Sequence, residues 1–167
     1  WTNKMINAAP WLNEEVFDGV MNYRLADALF KFFINDKNKI SEREFSGMLQ
    51  QMIDDYGIDS FHSVQNILGS HDIERIASAC VNPDRWIDHA NNLQYNPEFK
   101  VRKPNSDERK TQTLLTAFQF LFPGSPYIYY GDEVGMWGAD DPDCRKPMVW
   151  QEFEYEVEVH HPVEISK

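Results

Sequence analysis

The sequence predicts an α/β fold in which short strands alternate with helices and form a parallel sheet. Three short apolar runs alternate with regions of helical periodicity, in the order strand, helix, strand, helix, strand. This order is typical of βαβ units, whose crossovers are right-handed and whose strands run parallel. The length of 167 residues suits one domain with a hydrophobic core and is short for two.

The first strand is predicted over residues 16–22 (VFDGVMN), and two helices follow it. Residues 25–33 (LADALFKFF) carry apolar side chains at the i, i+3, i+4, i+7 and i+8 positions, which indicates an amphipathic helix. The second helix begins at Ser41, because Ser41 and Glu44 have the spacing of a capping box, and Gly57 is placed to end it.

The second strand is predicted over residues 63–68 (SVQNIL) and the third over residues 126–130 (PYIYY). Between them, residues 82–105 form a polar stretch that is long for a loop, which suggests a functional role. Ser106 is predicted to cap the next helix, and Pro123-Gly124 ends it. The apolar stripe of that helix, predicted to be buried, comprises Leu114, Leu115, Phe118, Leu121 and Phe122.

The composition indicates a folded protein that does not bind nucleic acid. Apolar residues make up 42% of the chain and aromatic residues 14%, which is unlike a disordered segment. The net charge of −11 opposes contact with a phosphate backbone. The sequence has no apolar run of about 18 residues and no basic segment ahead of a shorter one, so neither a membrane span nor a signal peptide is predicted. Cys80 and Cys144 lack metal-ligand spacing and either pair or stay reduced.

Polar residues follow each predicted strand. In a parallel sheet the carboxyl ends of the strands meet at one edge, which is where α/β proteins bind their ligands. The polar residues are therefore expected to converge on one face, either as a ligand site or as helix caps and loop ion pairs. The three clusters are Asn22-Tyr23, His71-Asp72 with Glu74-Arg75, and Asp132-Glu133.

No common cofactor or nucleophile motif competes with this site. The sequence has no GxGxxG, no GxxxxGK[ST] and no GxSxG, so dinucleotide, P-loop and serine-hydrolase sites lack their defining residues. A metal-dependent hydrolase centred on His71 and Asp72 is an alternative, although the other histidines show no ligand spacing.

Three stretches of the chain carry a family resemblance: residues 11–33 (WLNEEVFDGVMNYRLADALFKFF), residues 66–76 (NILGSHDIERI) and residues 122–150 (FPGSPYIYYGDEVGMWGADDPDCRKPMVW). In this order they resemble strands six, seven and eight of the catalytic barrel of the alpha-amylase family of glycoside hydrolases. More narrowly, they resemble the neopullulanase, cyclomaltodextrinase and maltogenic amylase group.

The resemblance implies that residues 1–150 are the C-terminal portion of a TIM (β/α)8 barrel, covering strands six to eight with their helices. Residues 151–167 are then an acidic tail or a truncated insertion loop. Their apolar and acidic side chains alternate, which also suits an edge strand.

The resemblance also implies a retaining hydrolase of α-1,4 bonds in malto-oligosaccharides, cyclodextrins or pullulan. Asp72 matches the family's third acidic residue, a transition-state stabiliser that binds and distorts the sugar at the cleavage site. His71 matches a histidine that donates hydrogen bonds to the same sugar. No cofactor is implied, and calcium use by the intact enzyme is left open.

Further roles follow from the same resemblance. Asp141 and Arg145 match residues that hold a glucose unit one subsite further along, and an ion pair that fixes the loop is the alternative. Trp137 either stacks on a sugar face or packs within its loop. Structural roles are expected for Tyr130, Asp132 and Glu133 in the loop scaffold, and for Glu74 and Arg75 at the helix after the seventh strand.

The chain departs from the family at two catalytic positions. The nucleophile after the fourth strand and the proton donor after the fifth have no counterpart here, and Trp1 is expected to follow that donor directly. We therefore expect a part of a longer enzyme that is inactive alone, with sheet edges that favour a homo-oligomer. A non-catalytic carbohydrate-binding or scaffold module is the second interpretation. The expected partner is an α-glucan oligosaccharide, with no nucleic acid and no membrane.

Overall fold

A computed structural model describes residues 8–12, 15–87 and 91–150, and these form a three-stranded parallel sheet with helices between the strands. The strands are β1 (Met21–Asn22), β2 (Gln65–Ile67) and β3 (Ser125–Tyr127), in that spatial order. Met21 pairs with Gln65, and Asn66 pairs with Pro126. The predicted parallel α/β arrangement is confirmed. Trp1 and the predicted tail of residues 151–167 lie outside the described residues.

The strands are shorter than predicted. Residues 16–20 were expected in the first strand, but Val16 and Phe17 are exposed and lie in a turn region before β1. Residues 128–130 were expected in the third strand, but they continue past β3 without pairing. The apolar pattern marks each strand correctly, whereas its length depends on how many backbone groups find a partner strand.

The helices follow the predicted order with changed boundaries. The first helix continues past its α-helical part into a π-helical turn over Phe30–Ile34, where the Asn35 N–H donates to the Phe30 carbonyl at 2.7 Å. The α-helices are α1 (Tyr23–Leu29), α2 (Glu42–Tyr56), α3 (Ile58–Phe61), α4 (Ile76–Val81) and α5 (Ser106–Leu121).

The predicted end signals of α2 are confirmed. Ser41 accepts a hydrogen bond from the Glu44 N–H, and the Glu44 carboxylate accepts one from the Ser41 N–H at 2.8 Å. Gly57 follows α2 with φ of +76°, a conformation that glycine adopts without steric cost.

The predicted cap of α5 is wrong by one residue. Asn105, rather than Ser106, accepts hydrogen bonds from the N–H groups of Asp107 and Glu108, at 2.9 and 3.0 Å. The Glu108 carboxylate completes the capping box by accepting from the Asn105 N–H. Both Asn and Ser are common caps, so the sequence did not decide between neighbours.

The predicted buried stripe of α5 is correct on one side only. Leu115 is fully buried, and Phe118 and Phe122 pack against the core. Leu114 is exposed and Leu121 is 84% exposed. Leu114 lies about 100° around the helix from Leu115, and the described residues cover the face of Leu115 but not that of Leu114.

Buried polar side chains tie α5 to the sheet. The Gln119 side-chain amide donates to the backbone carbonyls of Asn66 and Tyr127, both at 2.8 Å. The Asn66 amide donates to the Pro123 carbonyl at 2.9 Å and accepts from the Asn22 amide at 3.1 Å. These contacts satisfy buried backbone groups where the short strands cannot, so they hold the three strand ends in place.

The pairing of the two cysteines, which the sequence left open, is resolved in the described residues. Cys80 and Cys144 are buried and free rather than paired, and burial raises the pKa of each thiol to about 12. Both therefore stay protonated at neutral pH. No helix in the described part of the chain is long and apolar enough to cross a membrane.

Candidate functional site

The carboxyl ends of β1 and β2 are joined by a chain of hydrogen bonds that leads to Asp72. The hydroxyl groups of Tyr23 and Ser70 lie 3.0 Å apart, and Ser70 Oγ accepts from the Asp72 N–H, also at 3.0 Å. Tyr23 and Ser70 are both buried. Burial raises the pKa of Tyr23, so its phenol keeps its proton. The backbone of Asp72 is therefore fixed relative to both strands.

Four of the five predicted site residues come together in what we call the rim cluster, formed by His71, Asp72, Asp141 and Arg145. His71 Nε2 lies 3.3 Å from Asp72 Oδ1, and Arg145 Nη2 lies 3.7 Å from the same oxygen. Arg145 Nε lies 2.9 Å from Asp141 Oδ1 and donates to the His71 carbonyl at 3.0 Å. A single guanidinium thus connects residues that are about 70 positions apart in the chain.

The rim cluster is open to solvent on its outer side. The side chains of His71, Asp141 and Arg145 are exposed, whereas that of Asp72 is 22% exposed. The cluster offers carboxylate acceptors beside guanidinium and imidazole donors, a combination that matches the hydroxyl groups of a sugar.

A buried arginine beneath the rim ties the β2 end to the β3 end. Arg75 is fully buried, and its Nη1 donates to the Tyr130 carbonyl at 2.7 Å and to Asp132 Oδ1 at 2.9 Å. Its guanidinium lies 4.7 Å from the ring centre of Tyr129 and 4.9 Å from that of Tyr130. Arg75 was expected to cap and tether the helix that follows it, but its side chain makes no cap hydrogen bond to α4 and joins the β3 end instead. The expected scaffold role of Asp132 agrees with this arrangement.

Burial governs the charge of Asp132. It raises the pKa of Asp132 to about 7, although the Arg75 guanidinium opposes the rise. Near neutral pH this carboxyl group is consequently divided between its protonated and ionised forms.

A second buried ion pair, which the sequence did not predict, shapes the loop of residues 138–146. Lys146 Nζ lies 3.4 Å from Asp143 Oδ2 and donates to the Trp137 carbonyl at 3.2 Å. Asp143 Oδ2 also accepts from the Ala139 N–H at 2.7 Å. Burial lowers the pKa of Lys146, and Asp143 opposes the fall. A run of charges in sequence does not reveal which of them are buried, because burial depends on how the loop packs in the fold.

Trp137, the fifth predicted site residue, is not part of the rim cluster. It is only 5% exposed, so the structure favours packing within the loop over an open stacking surface. Its contact with a sugar remains a prediction.

The polar segment of residues 82–105 is held by asparagine side chains, as far as it is described. Asn82 donates to the Lys100 carbonyl at 3.0 Å and accepts from the Lys100 N–H at 2.9 Å. Asn92 donates from its amide to the Asp141 carbonyl, and the Asp140 N–H donates to the Asn91 carbonyl at 3.1 Å. This segment therefore borders the rim cluster, a contact that its length alone did not reveal.

The arrangement around Asp72 also bears on the metal-site alternative. In the described part of the chain, no three His, Cys, Asp or Glu side chains are grouped as metal ligands would be. Asp72 Oδ1 instead lies between an imidazole and a guanidinium. Both groups can donate hydrogen bonds, which suits a ligand that bears hydroxyl groups.

Comparison with protein families gives a match over residues 1–160 to the alpha amylase catalytic domain. A cyclomaltodextrinase from Geobacillus thermopakistaniensis (strain MAS1) is 38% identical over 157 residues, which are 94% of this chain and 22% of that protein. Neopullulanase 2 from Thermoactinomyces vulgaris is 34% identical over 148 residues, which are 89% of this chain and 21% of that protein. The chain thus spans about a fifth of the length of these relatives.

Solved structures agree with this match. A cyclomaltodextrinase structure has a TM-score of 0.66 and 29% identity, over 97% of this chain and 24% of its own. A cyclic alpha-maltosyl-(1→6)-maltose hydrolase from Arthrobacter globiformis, in complex with maltose, has a TM-score of 0.61 and 30% identity, over 89% of this chain and 28% of its own. These likenesses confirm the predicted fold class, part of a (β/α)8 barrel.

Proposed function

Because this chain belongs to the alpha-amylase catalytic-domain family, we propose that it forms the sugar-holding part of the catalytic cleft of a retaining α-glucan hydrolase. The convergence of the rim cluster carries the proposal. Residues from two distant loops meet there around one exposed guanidinium, and all four are the side chains that the resemblance assigns to substrate. The substrates we propose are α-1,4-linked oligosaccharides derived from starch, including cyclodextrins and pullulan.

Asp72 is the proposed transition-state stabiliser. The sugar ring flattens and gains positive charge as the glycosidic bond breaks. A carboxylate at the rim therefore stabilises this transition state more than it stabilises the ground state. The hydrogen bond from the Asp72 N–H to Ser70 fixes the backbone that carries this carboxylate. Catalysis needs such fixed placement, since a displaced charge loses much of its effect.

Arg145 and Asp141 are proposed to hold the neighbouring glucose unit. The two side chains form an ion pair in the structure, and this pair restricts both rotamers before a ligand arrives. Their outward exposure leaves donor and acceptor atoms available to sugar hydroxyls. Loop fixation and sugar binding, the two alternatives for this pair, are therefore compatible.

The 167-residue chain by itself is proposed to bind glucan without cleaving it. The resemblance supplies Asp72 as one of three acids, and the nucleophile and the proton donor have no counterpart among its residues. A non-catalytic carbohydrate-binding module, the second candidate, makes the same prediction for the isolated chain. The two differ in whether Asp72 contributes to hydrolysis in the complete protein.

A binding and hydrolysis assay tests the proposal. We expect this chain to bind maltoheptaose weakly by isothermal titration calorimetry, and to release no reducing sugar from maltoheptaose or pullulan, with or without EDTA. Arg145→Ala and Asp72→Asn should each weaken binding about tenfold, because a charged hydrogen-bonding partner is lost.

Arg102→Ala is the matched control. Arg102 is 47% exposed and ion-paired with Glu108, while Arg145 is 45% exposed, but Arg102 lies outside the rim cluster. We expect its loss to leave maltoheptaose binding unchanged. Binding that survives both rim substitutions would contradict the proposal, and EDTA-sensitive hydrolysis would support the metal-site alternative.

Self-association through the uncovered side of the fold is a further proposal. In the described residues, β3 has a single neighbouring strand, and apolar side chains on and beside it are exposed. These are Phe120, Leu121, Tyr127 and Ile128. An open strand edge beside apolar surface favours pairing with a second copy.

A further inference from the structure

We propose that Tyr95 is an aromatic platform for a glucose unit bound beyond the rim cluster, and this inference rests on the proposed function. An α-1,4-glucan presents hydroxyl groups at the edges of each ring and C–H groups on its faces. The rim cluster consists of polar side chains and can satisfy only the edges. Trp137, for which stacking on a sugar face was one of two alternatives, is buried.

Tyr95 has the exposure that a stacking residue needs. It is 75% exposed, more than any other aromatic residue in the described part of the chain. A ring so exposed contributes little to the hydrophobic core and loses ordered solvent when a ligand covers it. Covering it with the C–H face of a sugar is therefore favourable and requires no rearrangement of the core.

The backbone beneath Tyr95 is ordered by its own turn. Asn92 accepts through its carbonyl from the N–H groups of Tyr95 at 3.2 Å and Asn96 at 2.8 Å. The Asn92 side chain accepts from the Gln94 N–H at 2.7 Å, as in an Asx turn. Phe99, a few residues on, is buried and anchors the segment. A platform on such a turn costs less entropy on binding than one on a loose loop.

The same turn is attached to the loop that carries the sugar-binding ion pair. The Asn92 amide donates to the carbonyl of Asp141, the residue that pairs with Arg145. The preceding residue, Asn91, is fully buried and accepts from the Asp140 N–H at 3.1 Å. Residues at the two ends of such a turn have Cα atoms within about 7 Å of each other, so Tyr95 stays close to the Asp141 loop.

The placement defines the class of ligand. Maltose is short enough to be held by the rim cluster alone, whereas a longer malto-oligosaccharide extends past it. We therefore assign Tyr95 to the discrimination of longer α-glucans from short ones. Affinity gained at a remote unit adds to that of the cleavage site without changing the chemistry there.

The test compares maltose with maltoheptaose, both titrated into the 167-residue chain. We expect Tyr95→Ala to weaken maltoheptaose binding about fivefold to tenfold, the scale of one aromatic contact, and to leave maltose binding unchanged. Tyr95→Phe should bind both ligands like the original chain, because the ring rather than the hydroxyl makes the contact. Phe17→Ala, which removes an exposed aromatic ring ahead of β1, should change neither affinity.

The outcomes separate this inference from the proposed function. If Arg145→Ala weakens binding and Tyr95→Ala does not, the proposed function stands and the platform is overturned. The platform is also overturned if Tyr95→Phe is as weak as Tyr95→Ala, or if maltose binding falls equally. If the original chain binds neither sugar, both proposals fail.

Discussion

Asp132 lies beneath the rim, paired with Arg75, in surroundings that disfavour its charge. Its raised pKa means that the folded chain retains a proton that the unfolded chain has already released, between about pH 4 and pH 7. Binding of that proton stabilises the fold. This contribution to the free energy of unfolding is therefore complete below about pH 4 and is lost as the pH rises through 7.

Replacing Asp132 by Asn isolates this effect. We expect the stability of the original chain, relative to Asp132→Asn, to fall by a few kcal/mol, in order of magnitude, between pH 4 and pH 7.5. Urea unfolding of both proteins at several pH values measures the difference, since the remaining acidic groups titrate alike in both. If the original chain instead gains stability relative to Asp132→Asn as the pH rises, Arg75 keeps Asp132 ionised in the folded chain.

Single residues of the site were predictable where a short motif marks them. His71-Asp72 and Asp141 with Arg145 were identified in the sequence, and the structure brings them together. The residues that position them, above all Ser70, were not identified. A buried serine looks like any other serine in sequence, because its role depends on the Tyr23 hydroxyl group, which comes from the start of α1.

Helix ends show how local chemistry decides an element's boundary. The capping box of α2 was predicted from Ser41 and Glu44, and it is present. At α5 the same reasoning selected Ser106, whereas Asn105 provides the cap. A capping signal locates a helix start to within one residue, because two adjacent polar side chains compete for the same N–H groups.

The two residues at the start of α5 make a matched pair for experiment. We expect Asn105→Ala to lower the free energy of unfolding by about 1 kcal/mol, because the N–H groups of Asp107 and Glu108 lose their acceptor. Ser106→Ala should have almost no effect. Thermal or urea unfolding followed by circular dichroism measures both. A larger loss of stability for Ser106→Ala than for Asn105→Ala would show that Ser106 is the capping residue.

Strands were the elements that sequence predicted least well in length. Each predicted strand coincides with an observed one, but only two or three residues of each are paired. The apolar pattern located each strand, but it did not report burial in every case, since β2 is largely buried and β3 is exposed. Pairing also requires a neighbour of matching length. Here β1, the shortest strand, limits the number of β2 residues that can pair on the β1 side of the sheet.

The whole described fold has one covered side and one open side. Helix α1 packs against β2 and α2 packs against α1, while the far face of α5 and the edge of β3 remain uncovered. This asymmetry could not be read from periodicity alone. The apolar stripe of α5 is wide enough for a helix that packs against neighbours on two sides. The sequence does not show that, in the described fold, only one of those sides is covered.

Size-exclusion chromatography with light scattering tests the consequence for self-association. We expect the isolated chain to elute with a mass above that of the monomer, because the exposed face of α5 and the β3 edge pair with a second copy. Leu121→Glu should shift the mass towards the monomer by placing a charge in that contact. Ile58→Glu, at an exposed apolar position on α3, is the control and should not. A monomer for the original chain at high concentration would contradict the proposal.

The register of the sheet has a consequence for the order in which the chain folds. Met21 must find Gln65, and Asn66 must find Pro126, so every strand pair closes a long stretch of chain. Helices α2 and α5 need only neighbouring residues and can form earlier. Pairing of distant strands carries a large entropic cost before any contact stabilises it, and is expected to come late. The rim cluster joins the loop after β2 to the loop after β3, so we expect its contacts to form only after both strands have found their places in the sheet.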